Sequence, residues 1–183
     1  MAFFEYFRKF SYILLIAFTA GAALASPPVA EKPTAYQSDL LGLIGEWSGV
    51  VTHYSIDKDT VLVSSPAEFS ADTAGGVLVS RWIYESRDGE RVVDWGEWLV
   101  SGSGHTIQFD DKKMWFVSGK NISDNGMTLT FQGRDTDTNT DKPAQVTNIL
   151  YIGNEDSLVF AKKVLFDGAG RELLRREFRM GRK

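Results

Sequence analysis

From Trp47 to the C-terminus the chain is a succession of short runs rich in β-branched and aromatic residues, each closed off by residues that favour tight turns. The runs are 47–55, 61–69, 77–86, 91–100, 105–110, 113–119, 127–133, 145–152, 157–166 and 171–180. Between them stand Asp88-Gly89, Asn125-Gly126, Gly153-Asn154 and Asp167-Gly168-Ala169-Gly170, whose residues tolerate positive φ and let a chain reverse. Connections this short join antiparallel neighbours, and no ten-residue amphipathic helix interrupts the series, which disfavours parallel βαβ folds. Laid out as one open sheet the strands would expose their edges, whereas closing the sheet on itself removes them. The expected fold is therefore all-β, an antiparallel up-and-down β-barrel of about ten strands. A two-sheet sandwich is the second arrangement that the same strand count permits.

What precedes the strands falls into three parts. Residues 1–25 carry Arg8 and Lys9 near the start, an apolar run from Phe10 to Ala20 and the small-residue end Ala23-Leu24-Ala25, the pattern of a signal peptide cleaved after Ala25. The apolar run is shorter than the roughly 20 residues that span a bilayer, and no basic cluster follows it. A secreted or periplasmic protein with no stable membrane span after cleavage is expected. Residues 26–36 hold Pro27, Pro28 and Pro33 without apolar periodicity and are expected to be a flexible leader. Ser38 and Asp39 then precede Leu40, Leu41, Leu43 and Ile44, a cap-like start to one helical turn that Gly42 and Gly45 keep short, so the barrel domain is expected to cover 37–183. Loss of Arg8, Lys9 and Glu5 with the signal leaves 18 basic and 23 acidic residues, a net charge of −5. That sign opposes binding to a phosphate backbone, so nucleic acid is not an expected partner. The absence of cysteine excludes disulfides, thiolate metal sites and cysteine nucleophiles.

Gly45-Glu46-Trp47-Ser48-Gly49 opens the first strand straight after the helical turn, and Arg175-Arg176-Glu177-Phe178-Arg179 lies in the last. This layout resembles the calycin group of barrels: the lipocalins, the fatty-acid-binding proteins, and ten-stranded nitrobindin-like and bacterial lipocalin-like domains. The resemblance implies that Trp47 starts the first strand and that a basic residue of the final strand packs over it. Closure makes those strands neighbours, and a guanidinium over an indole supplies a cation–π contact of about 0.5–2 kcal/mol. Alternation puts Trp47, Gly49, Val51, His53 and Ser55 on one face, and the more apolar register of the last strand is Leu174, Arg176, Phe178 and Met180. Arg176 is thus the expected inward arginine and closing partner of Trp47, with Arg171, Arg175, Glu177 and Arg179 outside. The fatty-acid-binding proteins hold a carboxylate with Arg-x-Tyr on the last strand; here the stretch is Arg176-Glu177-Phe178, without the hydroxyl. Nitrobindin-type barrels bind haem through a late histidine, whereas the only histidines here are His53 and His105. No cofactor is expected.

Trp82, Tyr84, Trp95, Trp98, Trp115 and Phe116 concentrate aromatic surface in the middle strands, suited either to an apolar cavity or to a filled core. Arg81, Glu85, Asp94 and Glu97 on the same strands suit a wet lumen, although each taken singly is expected on the solvent side. Asp135-Thr136-Asp137-Thr138-Asn139-Thr140-Asp141 alternates oxygen ligands at calcium-loop spacing. Its sixth position is Thr140 where glycine is needed and its twelfth is Val146 where glutamate belongs, so an exposed polar hairpin loop is expected and no metal site. Asn121-Ile122-Ser123 is a glycosylation sequon that matters only in a eukaryotic source. No Gly-x-Ser-x-Gly elbow occurs, and no catalytic residue is assigned. The chain is expected to bind a hydrophobic small molecule in a barrel lumen, with His53, Trp82, Tyr84, Trp98 and Arg176 as ligand-binding residues and Trp47 with Arg176 closing the barrel. Two other readings are a small lipocalin-fold enzyme using His53 with Glu85 or Asp94, and a filled-core barrel with an envelope role.

Overall fold

Each run has one face that must leave water, and ten such faces are buried together when the sheet closes. The structure, a computed structural model, describes residues 31–55, 60–109, 113–137 and 140–183. The expected signal segment and residues 26–30 of the expected leader lie outside the described residues. The strands are Gly45–Tyr54 (β1), Val61–Ala74 (β2), Val77–Glu85 (β3), Arg91–Val100 (β4), Thr106–Phe109 (β5), Lys113–Ser123 (β6), Gly126–Asp137 (β7), Lys142–Gly153 (β8), Ser157–Phe166 (β9) and Leu173–Arg182 (β10). All neighbours are antiparallel, and β1 pairs with both β2 and β10, so the up-and-down barrel is closed. Gly49 sits opposite Met180 on that closing seam, where a Cβ would collide with the Arg179 carbonyl oxygen. Glycine is what lets the two terminal strands approach.

One end of the barrel is plugged. Gln37–Leu43 is a 3-10 helix that starts earlier than the cap-like Ser38-Asp39 pair suggests: Asp39 lies inside it and accepts the Tyr36 N–H at 2.7 Å. Leu40 and Leu43 are fully buried, and Trp47, also fully buried, donates its indole N–H to the Leu43 carbonyl at 2.9 Å. Gln37 bridges the end of β4, donating to the Trp98 carbonyl and accepting from the Val100 N–H. Docking begins before the helix, because Ala35, at the end of the expected leader, is buried and donates its N–H to Gly104. Leu78, Leu129, Leu150 and Leu158 fill the barrel interior, and each is fully buried.

The arginine over Trp47 is Arg182, not Arg176. Its guanidinium carbon lies 4.4 Å from the indole centroid, and it donates to the Ile44 carbonyl at 2.7 Å and to Asp156 at 2.6 Å. The antiparallel register explains the correction: β1 and β10 pair Trp47 with Arg182 and His53 with Arg176. Six residues of strand, roughly 20 Å, separate Trp47 from the rung of Arg176. A second correction concerns Arg175, expected outside. A bulge between Leu174 and Arg176 shifts the alternation, so that Arg175 is buried while Arg176, Phe178 and Met180 keep the inward register.

Candidate ligand cavity

Away from the 3-10 helix the lumen is not filled. A cavity of about 520 Å³ is lined by residues of β3 to β10. Its apolar wall is aromatic: Trp82 packs at 4.2 Å from Phe69 and 4.5 Å from Phe178, Trp98 stacks on Phe109 at 4.9 Å, and Phe160 lies 5.7 Å from Trp82. Its polar side carries Asp94, Lys113, Asp135, Asn148, Lys162 and Arg176. Arg176 donates to the Tyr84 hydroxyl at 2.7 Å, and that hydroxyl lies 3.0 Å from Asp94 Oδ2. Arginine has no acceptor, so the Tyr84 oxygen accepts from Arg176 and its own proton points to Asp94. Burial raises the Tyr84 pKa, with Arg176 opposing, which keeps the phenol neutral in this relay. Burial works against the Asp135 carboxylate, but hydrogen bonds from Lys113 and the Thr136 N–H hold its pKa below the usual carboxylate range. Lys162 is pushed down from the ordinary lysine value, first by burial and then by Arg176.

Of the five residues expected to bind ligand, Trp82, Tyr84, Trp98 and Arg176 surround this cavity. His53 does not line it. Its Nε2 lies 3.1 Å from the backbone carbonyl of Glu85, and its ring is 6.4 Å from Tyr84. The hydrogen bond is to the backbone oxygen of Glu85, and among the described residues His53 makes no ion pair with the Glu85 or Asp94 carboxylate. The aromatic concentration divides between the faces: Trp115 turns inward, whereas Trp95 and Phe116 are 64% and 66% exposed on the outside. Asp94, expected on the solvent side, lines the lumen because it shares the parity of Gly96 and Trp98, while Glu97 is exposed. The polar stretch from Asp135 is not an exposed loop at its start. Asp135 and Asp137 are in β7, Asp135 paired with Lys113 and Asp137 buried against Arg175. Residues 138–139 lie outside the described residues. Among the described residues no group of three or more His, Asp or Glu is placed to hold a metal ion, and no helix is long and apolar enough to cross a membrane.

Sequence reasoning missed Lys113, Asn148 and Lys162. A signal for Asn148 was present, since it shares the parity of the inward Val146 and Leu150 in an otherwise apolar stretch. Lys162 and Lys163 are adjacent, so one of them had to face the lumen.

His53 gives the barrel a pH dependence of definite sign. Burial lowers its pKa from the ordinary 6.5, Arg176 and Arg87 add to this, and the Glu85 carbonyl opposes it. Above pH 6.5 the imidazole is neutral in both folded and unfolded chains, and its contribution to stability is fully present. As pH falls below 6.5 the unfolded chain takes up the proton first, so stability is lost through the window down to the lowered folded value. Urea midpoints measured from pH 7.5 to pH 5 should fall more for the wild type than for His53→Gln; equal losses would refute the assignment.

No protein-family model matches the chain, and no curated protein matches it.

Proposed function

We propose that this chain is an exported binding protein that holds a hydrophobic small molecule in its barrel lumen, in the manner of calycin-type barrels. The observation that carries the reading is the cavity of about 520 Å³ walled by Trp82, Trp98, Phe109, Phe160 and Phe178. Ligand pockets commonly have volumes of about 300–1,000 Å³ and combine an apolar wall with a few placed polar groups, and a barrel with a filled core would leave no such space. Export rests on the signal pattern of residues 1–25, and the mature chain is then expected to begin at Ser26.

An uncharged environment-sensitive dye such as N-phenyl-1-naphthylamine tests the reading on the secreted chain, whose intact mass reports the cleavage. The dye should bind saturably, about one to one, and quench tryptophan emission. Trp82→Ala should weaken it by at least about tenfold, the equivalent of 1.4 kcal/mol, while the protein stays folded by circular dichroism. Absence of saturable binding to the folded wild type would overturn the proposal, and unchanged affinity in Trp82→Ala would move the site elsewhere.

A further inference from the structure

We propose that the polar side of the cavity is an anion site built on Lys162 and Arg176, and that the lumen takes an amphipathic acid, its acidic head between these two cations and its apolar body on the aromatic wall. The inference rests on the lumen-binding reading and specifies the class of ligand.

Register places the two cations together. Lys162 on β9 is the direct cross-strand partner of Arg176 on β10 and of Asn148 on β8, so three donor-bearing side chains stand on one rung of the inner face. Directly opposed residues have Cβ atoms about 4.5–5.5 Å apart, and like charges in that position destabilise a sheet. Among the described residues neither cation has a carboxylate oxygen within 4.0 Å. The two acids of the cavity are otherwise engaged: Asp135 with Lys113, and Asp94 with the Tyr84 hydroxyl. Arg176 spends one donor on Tyr84, a neutral acceptor, and its guanidinium has four more N–H groups. Asn148, 2% exposed, has an amide nitrogen with no acceptor among the described residues. A lumen that only had to be filled would carry apolar side chains on this rung, as it does at Phe160 and Phe178, two residues along from Lys162 and Arg176 on the same faces. An anion between the cations converts a repulsive pair into two charge-assisted hydrogen bonds. Its negative charge also offsets the burial that lowers the Lys162 pKa.

The spacing describes the ligand. Two residues of strand separate the cation rung from the Phe160 and Phe178 rung, roughly 7 Å, so the acid group must sit about that far from an aromatic or aliphatic body resting on those rings.

Isothermal titration of the full mature chain with 4-(1-naphthyl)butanoate, whose three-carbon linker gives about this separation, and with its uncharged amide, matched in body and length, tests the assignment. The wild type should prefer the carboxylate by at least about tenfold. Lys162→Met should lose most of that preference while amide binding changes less than about threefold. Without ligand, the same variant should unfold at a higher urea concentration than the wild type, because a buried cation facing Arg176 has been removed. Lys162→Gln replaces it for the binding comparison if the methionine variant does not fold. Equal affinity for acid and amide, or an acid preference that survives loss of the Lys162 charge, overturns the anion site and leaves the lumen reading intact. Failure of the uncharged dye to bind overturns the lumen reading itself, so the two failures are distinguishable.

Discussion

Replacing Asp137 by alanine is expected to destabilise the barrel by about 3–5 kcal/mol, the usual consequence of removing one partner of a buried ion pair. Asp137 and Arg175 side chains are each 2% exposed, with Oδ2 and Nη2 3.2 Å apart. Arg175 also donates to the Ser55 carbonyl at 3.0 Å and lies over the Phe166 ring, while Thr140 donates its hydroxyl to the same Asp137 oxygen at 3.0 Å. The pair therefore ties the end of β7 to the start of β10 and to the residue after β1. Among the described residues, alanine at 137 leaves a guanidinium out of water with no counter-charge, and its Nε already lacks an acceptor. The penalty belongs to the stranded charge more than to the lost attraction, so the double replacement Asp137→Leu with Arg175→Met should recover most of the loss. Urea denaturation of the three variants decides it. A loss below about 1 kcal/mol for Asp137→Ala, or a double variant no better than the single one, would show that the pair is solvated.

That ion pair also marks where the sequence stops being legible. Strand number and most strand ends could be read because turn residues are local: Asp88-Gly89 and Asn125-Gly126 reverse the chain whatever the rest does, whereas β2, β6 and β7 run four or five residues past the ends read from the sequence and β8 starts three residues earlier. Closure followed from the count of edges. The faces of β3 were also local, since Leu78, Ser80, Trp82 and Tyr84 share one parity and all turn inward. The division of Trp95 from Trp98 could have been read in the same way, because residues three apart on a strand face opposite sides. The fate of Asp137 could not. It depends on Arg175, 38 residues later in the chain, which faces inward only because a bulge interrupts the alternation of β10. Nothing in Leu173-Leu174-Arg175-Arg176 announces that bulge. The choice between Arg176 and Arg182 as the partner of Trp47 failed for a related reason. Parity admits both, and only the register between first and last strands, set by closure of the whole barrel, separates them. The cavity's polar side was obscured in turn because its charges come from five strands, one residue from each, with no motif joining them.

Trp47→Ala should cost about 3–5 kcal/mol, the range for emptying a buried aromatic site. Three interactions are lost together: the packing of a fully buried indole, its N–H bond to Leu43, and the contact with Arg182. The Leu43 bond matters for order as well as energy, because it holds the 3-10 helix against the barrel end that the helix plugs. Arg182 stands over the ring and donates to the Ile44 and Gly42 carbonyls, so it fixes the same junction from the β10 side. A double-mutant cycle separates this closure from the ligand end. Trp47→Leu with Arg182→Ala should show a coupling of about 0.5–2 kcal/mol, the cation–π range. Trp47→Leu with Arg176→Ala should be additive within about 0.5 kcal/mol, since those side chains stand on rungs roughly 20 Å apart. Coupling to Arg176 and none to Arg182 would mean that β1 and β10 pair in a different register from the one that sets Trp47 opposite Arg182.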